Sequence, residues 1–242
     1  MSKKDLVVTS NNVLAEIPDF LKNQKSARGT ENVHAEDLVI PRLELVQSLS
    51  PCRKKSDAAY IEGAEEGLLY NNVTRQLYGE EVQVIPVTFK KEWLIWKNRD
   101  AGGGFRGAFS SESEAQTEKL QLEDGADCEI ADTAQHFCLL VHPDGKVEEI
   151  VVSMSKSKLK VSRKWNSLIR MNEGDSFSRV YKLGTVSESG QKGDYYNLSV
   201  AAGGFPTLEL YQRAEKLYEA IATGAVKVDR RTDDAPVGTD EY

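Results

Sequence analysis

Between Ile150 and Asn172 the chain carries six basic side chains and no acidic one: Lys156, Lys158, Lys160, Arg163, Lys164 and Arg170. On a helical projection Lys156, Lys160, Arg163 and Lys164 share one face, and Met154, Val161, Trp165 and Leu168 share another. Such a stripe either solvates a helix over its buried side or lines up cations for a chain of phosphates. A helix built only for solubility mixes charge signs, so the missing acids weigh toward phosphate. Trp165 falls on the apolar stripe and is expected in the core.

A second constellation is Lys90-Lys91-Glu92-Trp93-Leu94-Ile95-Trp96-Lys97-Asn98-Arg99. Read as a strand, it puts Lys91, Trp93, Ile95 and Lys97 on one face and Leu94 and Trp96 on the other. Cations interleaved with an indole can hold a phosphate chain while a base stacks on the ring. The plainer reading makes both tryptophans core residues and the lysines an edge that discourages aggregation. The glycine-rich run from Ala101 to Phe109 follows. No Gly-Lys-Ser/Thr comes after it, so it is no nucleotide phosphate loop. It is either a mobile connection or a flexible loop bringing Phe105 and Arg106 over a bound strand. Tyr195 is expected to point outward with Asn197 and Ser199, opposite Tyr196, Leu198 and Val200.

Metal and catalytic chemistry find little support. Cys128, His136, Cys138 and His142 fall within 15 residues. They lack a Cys-x-x-Cys knuckle, and His136 and Cys138 would share a strand face. No Gly-x-Ser-x-Gly or His-Glu-x-x-His is present, and no carboxylates form a recognisable catalytic pair. The expectation is no metal, no other cofactor and no enzyme.

The elements that must position these residues read as mainly β. Residues 1–36, rich in Ser, Asn, Lys and Thr, suggest a flexible arm with one weak helix over Asn12–Asn23. Strands are expected at Gly67–Thr74, Val82–Phe89 and Glu92–Lys97. A hairpin is expected at His136–Val141 with Lys146–Ser153, across His142-Pro-Asp-Gly145, and another at Phe177–Val186 with Asp194–Ala201. A polar excursion with some helix lies between Phe109 and Ala134. Helices are expected at 155–171 and 207–223, the latter closed by Gly224. Five or six antiparallel strands with a helix before the last two give the order of an OB-fold, a small barrel whose strand face binds single strands or oligosaccharides. The expected fold is an OB-like antiparallel β-barrel over 37–224, with a C-terminal helix and flexible termini. Residues 225–242 form an acidic tail.

Composition narrows the class. The 242 residues are 40% apolar and 29% charged, with net charge −7, which suits a globular chain. The total hides an asymmetry, because outside Ile150–Asn172 the chain carries 25 basic and 38 acidic groups. No apolar run is long enough for a membrane span, and no signal segment follows Met1. Three widely spaced cysteines point to reduced thiols and a cytoplasm.

The segments Asp37-Leu-Val-Ile-Pro-Arg-Leu-Glu-Leu-Val-Gln-Ser-Leu-Ser-Pro51, Tyr60-Ile-Glu-Gly-Ala64, Gly67-Leu-Leu-Tyr-Asn71, Val82-Gln-Val-Ile-Pro-Val-Thr-Phe89, Trp93-Leu-Ile-Trp96 and the glycine run follow one another along the chain. Together they are similar to a group of tailed-bacteriophage single-stranded DNA-binding proteins. The similarity spans roughly residues 37–110. It implies a sequence-tolerant binder of single strands in phage replication or recombination, in the host cytoplasm, with no membrane partner and with self-association left open. The C-terminus, with Asp233, Asp234, Asp240, Glu241 and Tyr242, resembles the acidic tails by which replication-type binders dock partner proteins. It departs from them in its shortness, in Pro236 and Gly238, and in ending on Tyr rather than Phe. The alternative is a virion structural or assembly protein that handles no nucleic acid.

Overall fold

The computed structural model describes residues 8–10, 13–14, 39–190, 193–223 and 227–228, with backbone alone for 8–10, 13–14, 39, 99 and 227–228. Its frame is two long strands, β7 (Glu81–Lys97) and β9 (Cys128–Val141), paired antiparallel along nearly their whole length. Val82, Val84, Ile85, Val87, Thr88, Trp93, Ile95 and Trp96 give β7 its strand character, since branched and aromatic side chains fit a pleated surface. The expected strands 82–89 and 92–97 are therefore one.

Strand β10 (Val147–Ser155) joins the outer edge of β9 through the expected turn. Gly145 takes φ +85 there, and Asp144 Oδ1 accepts from the Lys146 N–H at 2.9 Å. The other edge of β7 is shared. Its first residues pair with β11 (Tyr181–Gly190), and Trp93–Trp96 pair with β8 (Phe105–Phe109). β12 (Gly193–Ala202) completes the second expected hairpin. The sheet order is β10-β9-β7-β11-β12, with β8 also on β7.

This antiparallel sheet is open, with β10 and β12 outermost, and the described strands do not close into the expected OB-like barrel. The physical reason is that both faces are covered by other elements. On one face lie helix α2 (Leu159–Met171) and a small sheet of β4 (Leu43–Leu45), β5 (Leu69–Asn71) and β6 (Leu77–Gly79). Gly67 lets that small sheet seat, because a Cβ there would lie 2.5 Å from the Tyr196 ring. The opposite face packs Ile85, Val87, Phe137, Leu139 and Val151 against Ala214, Leu217 and Ile221 of α3 (Leu208–Ala222). Toward the far end of β7 and β9, α1 (Glu112–Gln121) covers Ile95 and Cys128. Its N-terminus is capped by Ser111, whose Oγ accepts from Glu114 N–H, while the Glu114 carboxylate accepts from Ser110, the residue before the cap.

Between Pro86 and Thr88, β7 bulges. Pro86 opposes Cys138 and Thr88 opposes Phe137, which leaves Val87 as an extra residue. Everything from Thr88 onward is thereby shifted by one in face.

Within the arm, β1 (Val8–Ser10) and β2 (Val13–Leu14) pair with each other, so Val13–Leu14 is strand where a helix was expected. The β-branched Val8, Thr9 and Val13 favour that outcome. β3 (Val39–Ile40) pairs parallel with β13 (Lys227–Val228). Apart from Lys227–Val228, the acidic tail, with Asp233, Asp234, Asp240, Glu241 and Tyr242, lies outside the described residues, as do Gly224 and most of the arm. Among the described residues no helix is long and apolar enough to cross a membrane.

Candidate nucleic-acid interface

The basic segment is helix α2, entered through a turn at Lys156–Lys158. Val161, Ser162 and Trp165 are buried, whereas Lys160, Arg163, Lys164 and Arg170 are exposed. At 100° per residue these four cations lie within one third of the helix circumference, and they span about 15 Å along its axis. Trp165 is core, as expected. Its indole stacks on His136 at 4.5 Å and meets Tyr181 edge-on at 6.0 Å. Burial holds the His136 imidazole down to about 3, and Ser162 Oγ sits 2.8 Å from its Nε2.

The six cations divide by whether a carboxylate answers them. Lys160 meets Glu188 at 2.7 Å and Lys156 meets Glu129 at 3.8 Å. Lys158, Arg163, Lys164 and Arg170 have no ion pair among the described residues. Glu188 also accepts from Tyr195 Oη at 2.7 Å and Asn197 Nδ2 at 3.0 Å. Partial burial opposes its ionisation, but the three donors prevail and hold the carboxyl at about 2. Tyr195 is thus half-buried and anchored at α2. Asn197, expected to face outward, is fully buried because its amide joins Glu188 and the turn before α2.

At the far end of β7 the expected alternation is observed. Lys91, Trp93, Ile95 and Lys97 oppose Ala134, Asp132, Ile130 and Cys128, alternate residues of β9. Trp93 is half-buried, with Lys91 Nζ 4.7 Å above its ring and Asp132 holding that lysine at 3.0 Å. Leu94 and Trp96 pack on the other face, where Trp96 meets Phe105 at 5.1 Å. Much of the glycine run is not a loop but strand β8, so Phe105 sits half-buried beside Trp96 and Arg106 lies on the strand. Arg106 at 2.8 Å and Lys97 at 3.0 Å converge on Asp124, and their hydrogen bonds, Arg106 foremost, hold its carboxyl well below the ordinary range. Arg99 belongs to the short turn Arg99–Ala101, and its side chain is outside the described residues.

The structure therefore gathers the expected residues into three groups: the α2 face with Tyr195, the Lys91–Trp93 pair, and Lys97 with Arg106. The carboxylates that tie them, Glu188, Asp124, Asp132 and Glu129, were absent from the sequence reading. Each is distant in sequence from its cation or reachable only through strand register, so no local signal marks it.

Cys128 and Cys138 lie ten residues apart on β9, about 33 Å, so they cannot share an ion. Among the described residues no group of His, Cys, Asp and Glu is placed to hold a metal. Cys52, Cys128 and Cys138 are free and buried, and burial pushes all three thiols up.

An open, mainly antiparallel β sheet carrying three helices and a cationic helix face defines the class. The chain belongs to the Pam3 phage gp34-like protein family, whose family model matches residues 8–227. That makes it a phage protein. Neither a curated protein nor a solved structure matches it.

Proposed function

We propose that the protein is a sequence-tolerant single-stranded DNA-binding protein, acting without catalysis in phage DNA replication or recombination in the host cytoplasm. The observation that carries the reading is the exposed face of α2. There Arg163, Lys164 and Arg170 project without ion-pair partners among the described residues, in a segment lacking any acid. Unneutralised cations in a row are what a phosphate chain exchanges for its counterions. This contact surface is a helix, so the reading needs no closed OB-like barrel. Lys91 and Trp93 offer a second surface, with a lysine already over the indole. The tail from Asp233 to Tyr242 would dock a replication or recombination protein.

The experiment is a mobility shift on an oligo-dT strand with and without Mg²⁺. A binder retards the intact strand and a nuclease shortens it, while a virion assembly protein does neither. Trp93 is checked by fluorescence on strand addition. Trp96 and Trp165 are buried and should be indifferent, so quenching should vanish in Trp93→Phe.

A further inference from the structure

The geometry points to Phe205 as a nucleobase platform at the C-terminal end of the α2 cation row, an inference that rests on the single-strand-binding reading above. Phe205 is 73% exposed, although an aromatic ring of that size is ordinarily buried. It stands on a fixed turn. Gly203 N–H donates to Val180 O at 2.8 Å, and Val180 N–H donates to Gly204 O at 3.0 Å. The turn admits no side chain at Gly203, where a Cβ would lie 2.9 Å from the Val180 carbonyl oxygen.

One face of the ring is backed by the Arg179 guanidinium at 5.3 Å. Arg179 in turn donates from Nη1 to Asn172 Oδ1 at 3.0 Å, and Asn172 is the C-cap of α2. Ser178 Oγ accepts from Asn172 Nδ2 at 3.0 Å and fixes that amide. Two residues before Asn172 stands Arg170, exposed and without an ion pair among the described residues. A chain of contacts therefore joins the exposed ring to the C-cap of the helix that carries the cation row. The guanidinium withdraws one face of that ring from water and leaves the other open. A ring so held loses little freedom when a base stacks on it, and a neighbouring cation can take the adjoining phosphate. The core does not require this arrangement, because the ring is mostly outside it.

The test compares the full chain with Phe205→Ala, Phe205→Tyr and Phe205→Trp on oligo-dT and on an abasic deoxyribose-phosphate strand of equal length. Phe205→Ala should weaken oligo-dT binding about 5- to 140-fold, the equivalent of about 1–3 kcal/mol at about 1.4 kcal/mol per tenfold. It should leave the abasic strand and the salt slope unchanged. Tyr and Trp should keep the affinity, and the new Trp emission should be quenched by oligo-dT. If the wild type binds oligo-dT and Phe205→Ala binds it within twofold, or loses both strands equally, the platform is refuted while single-strand binding stands. A wild-type chain that binds neither strand refutes the single-strand reading, and the platform with it.

Discussion

Replacing Arg163, Lys164 and Arg170 together with alanine removes the three exposed α2 cations that no carboxylate holds among the described residues. Each phosphate contact on a single strand contributes about −0.7 to the slope of log affinity against log salt. Three contacts, joined by Lys160 once it turns from Glu188 to a phosphate, give a slope of about −2.8. Between about 50 and 200 mM salt that slope amounts to a loss of about 50-fold in affinity. The triple variant keeps only Lys160 on this face, so its slope should fall to about −0.7 and its loss over the same range to under about threefold. None of the three makes an ion pair among the described residues, and alanine is the best helix former, so α2 should persist. The assay is fluorescence anisotropy of labelled oligo-dT at four or more salt concentrations, with circular dichroism to check the fold. A folded triple variant with the wild-type slope would refute the assignment of phosphate contact to this helix face.

Trp165→Ala, at a fully buried ring stacked on His136, should lower unfolding stability by about 3–5 kcal/mol in urea titrations. Glu188 has its carboxyl at about 2 when folded against about 4.3 in an unfolded chain. Its ionised form therefore stabilises the fold above about pH 4.3, and that contribution is lost as pH falls through about 2. The difference in urea midpoint between wild type and Glu188→Gln should shrink across that window, and a constant difference would refute the network. Deleting Thr232–Tyr242 removes four carboxylates and no basic group. Oligo-dT binding should then tighten at low salt, and the gain should fade as salt screens the repulsion.

What the sequence made legible was local. The hairpin at Pro143-Asp144-Gly145 needs one positive φ and supplies a glycine for it. The α3 stripe of Ala214, Leu217 and Ile221 is buried as its spacing requires, although Tyr218 in the same stripe stays 46% exposed. The face alternation of Lys91, Trp93, Ile95 and Lys97 is likewise a property of a strand by itself. Closure was not legible, because nothing in one strand tells whether its sheet meets its own far edge or is covered by α2 and α3. Nor were the partners of the cations. Glu188 reaches Lys160 from 28 residues away, and Asp124 collects Lys97 and Arg106 from separate strands. Nor is the exposure of Phe205 legible, since Gly203-Gly204 before it and Pro206 after it mark only a turn.

The bulge at Val87 makes β7 one residue longer than its partner requires, and that surplus is slack. A single deletion between Thr88 and Glu92 can be absorbed by drawing the bulge straight. Only the residues between bulge and deletion would then exchange faces, while Trp93 through Lys97 would keep their β9 partners. An insertion finds no such reserve. It must either widen the bulge or invert the whole far end, sending Lys91 and Trp93 to the side where Leu94 and Trp96 now pack. Tolerance of length change along this strand should therefore be one-sided, with losses accepted where gains are not.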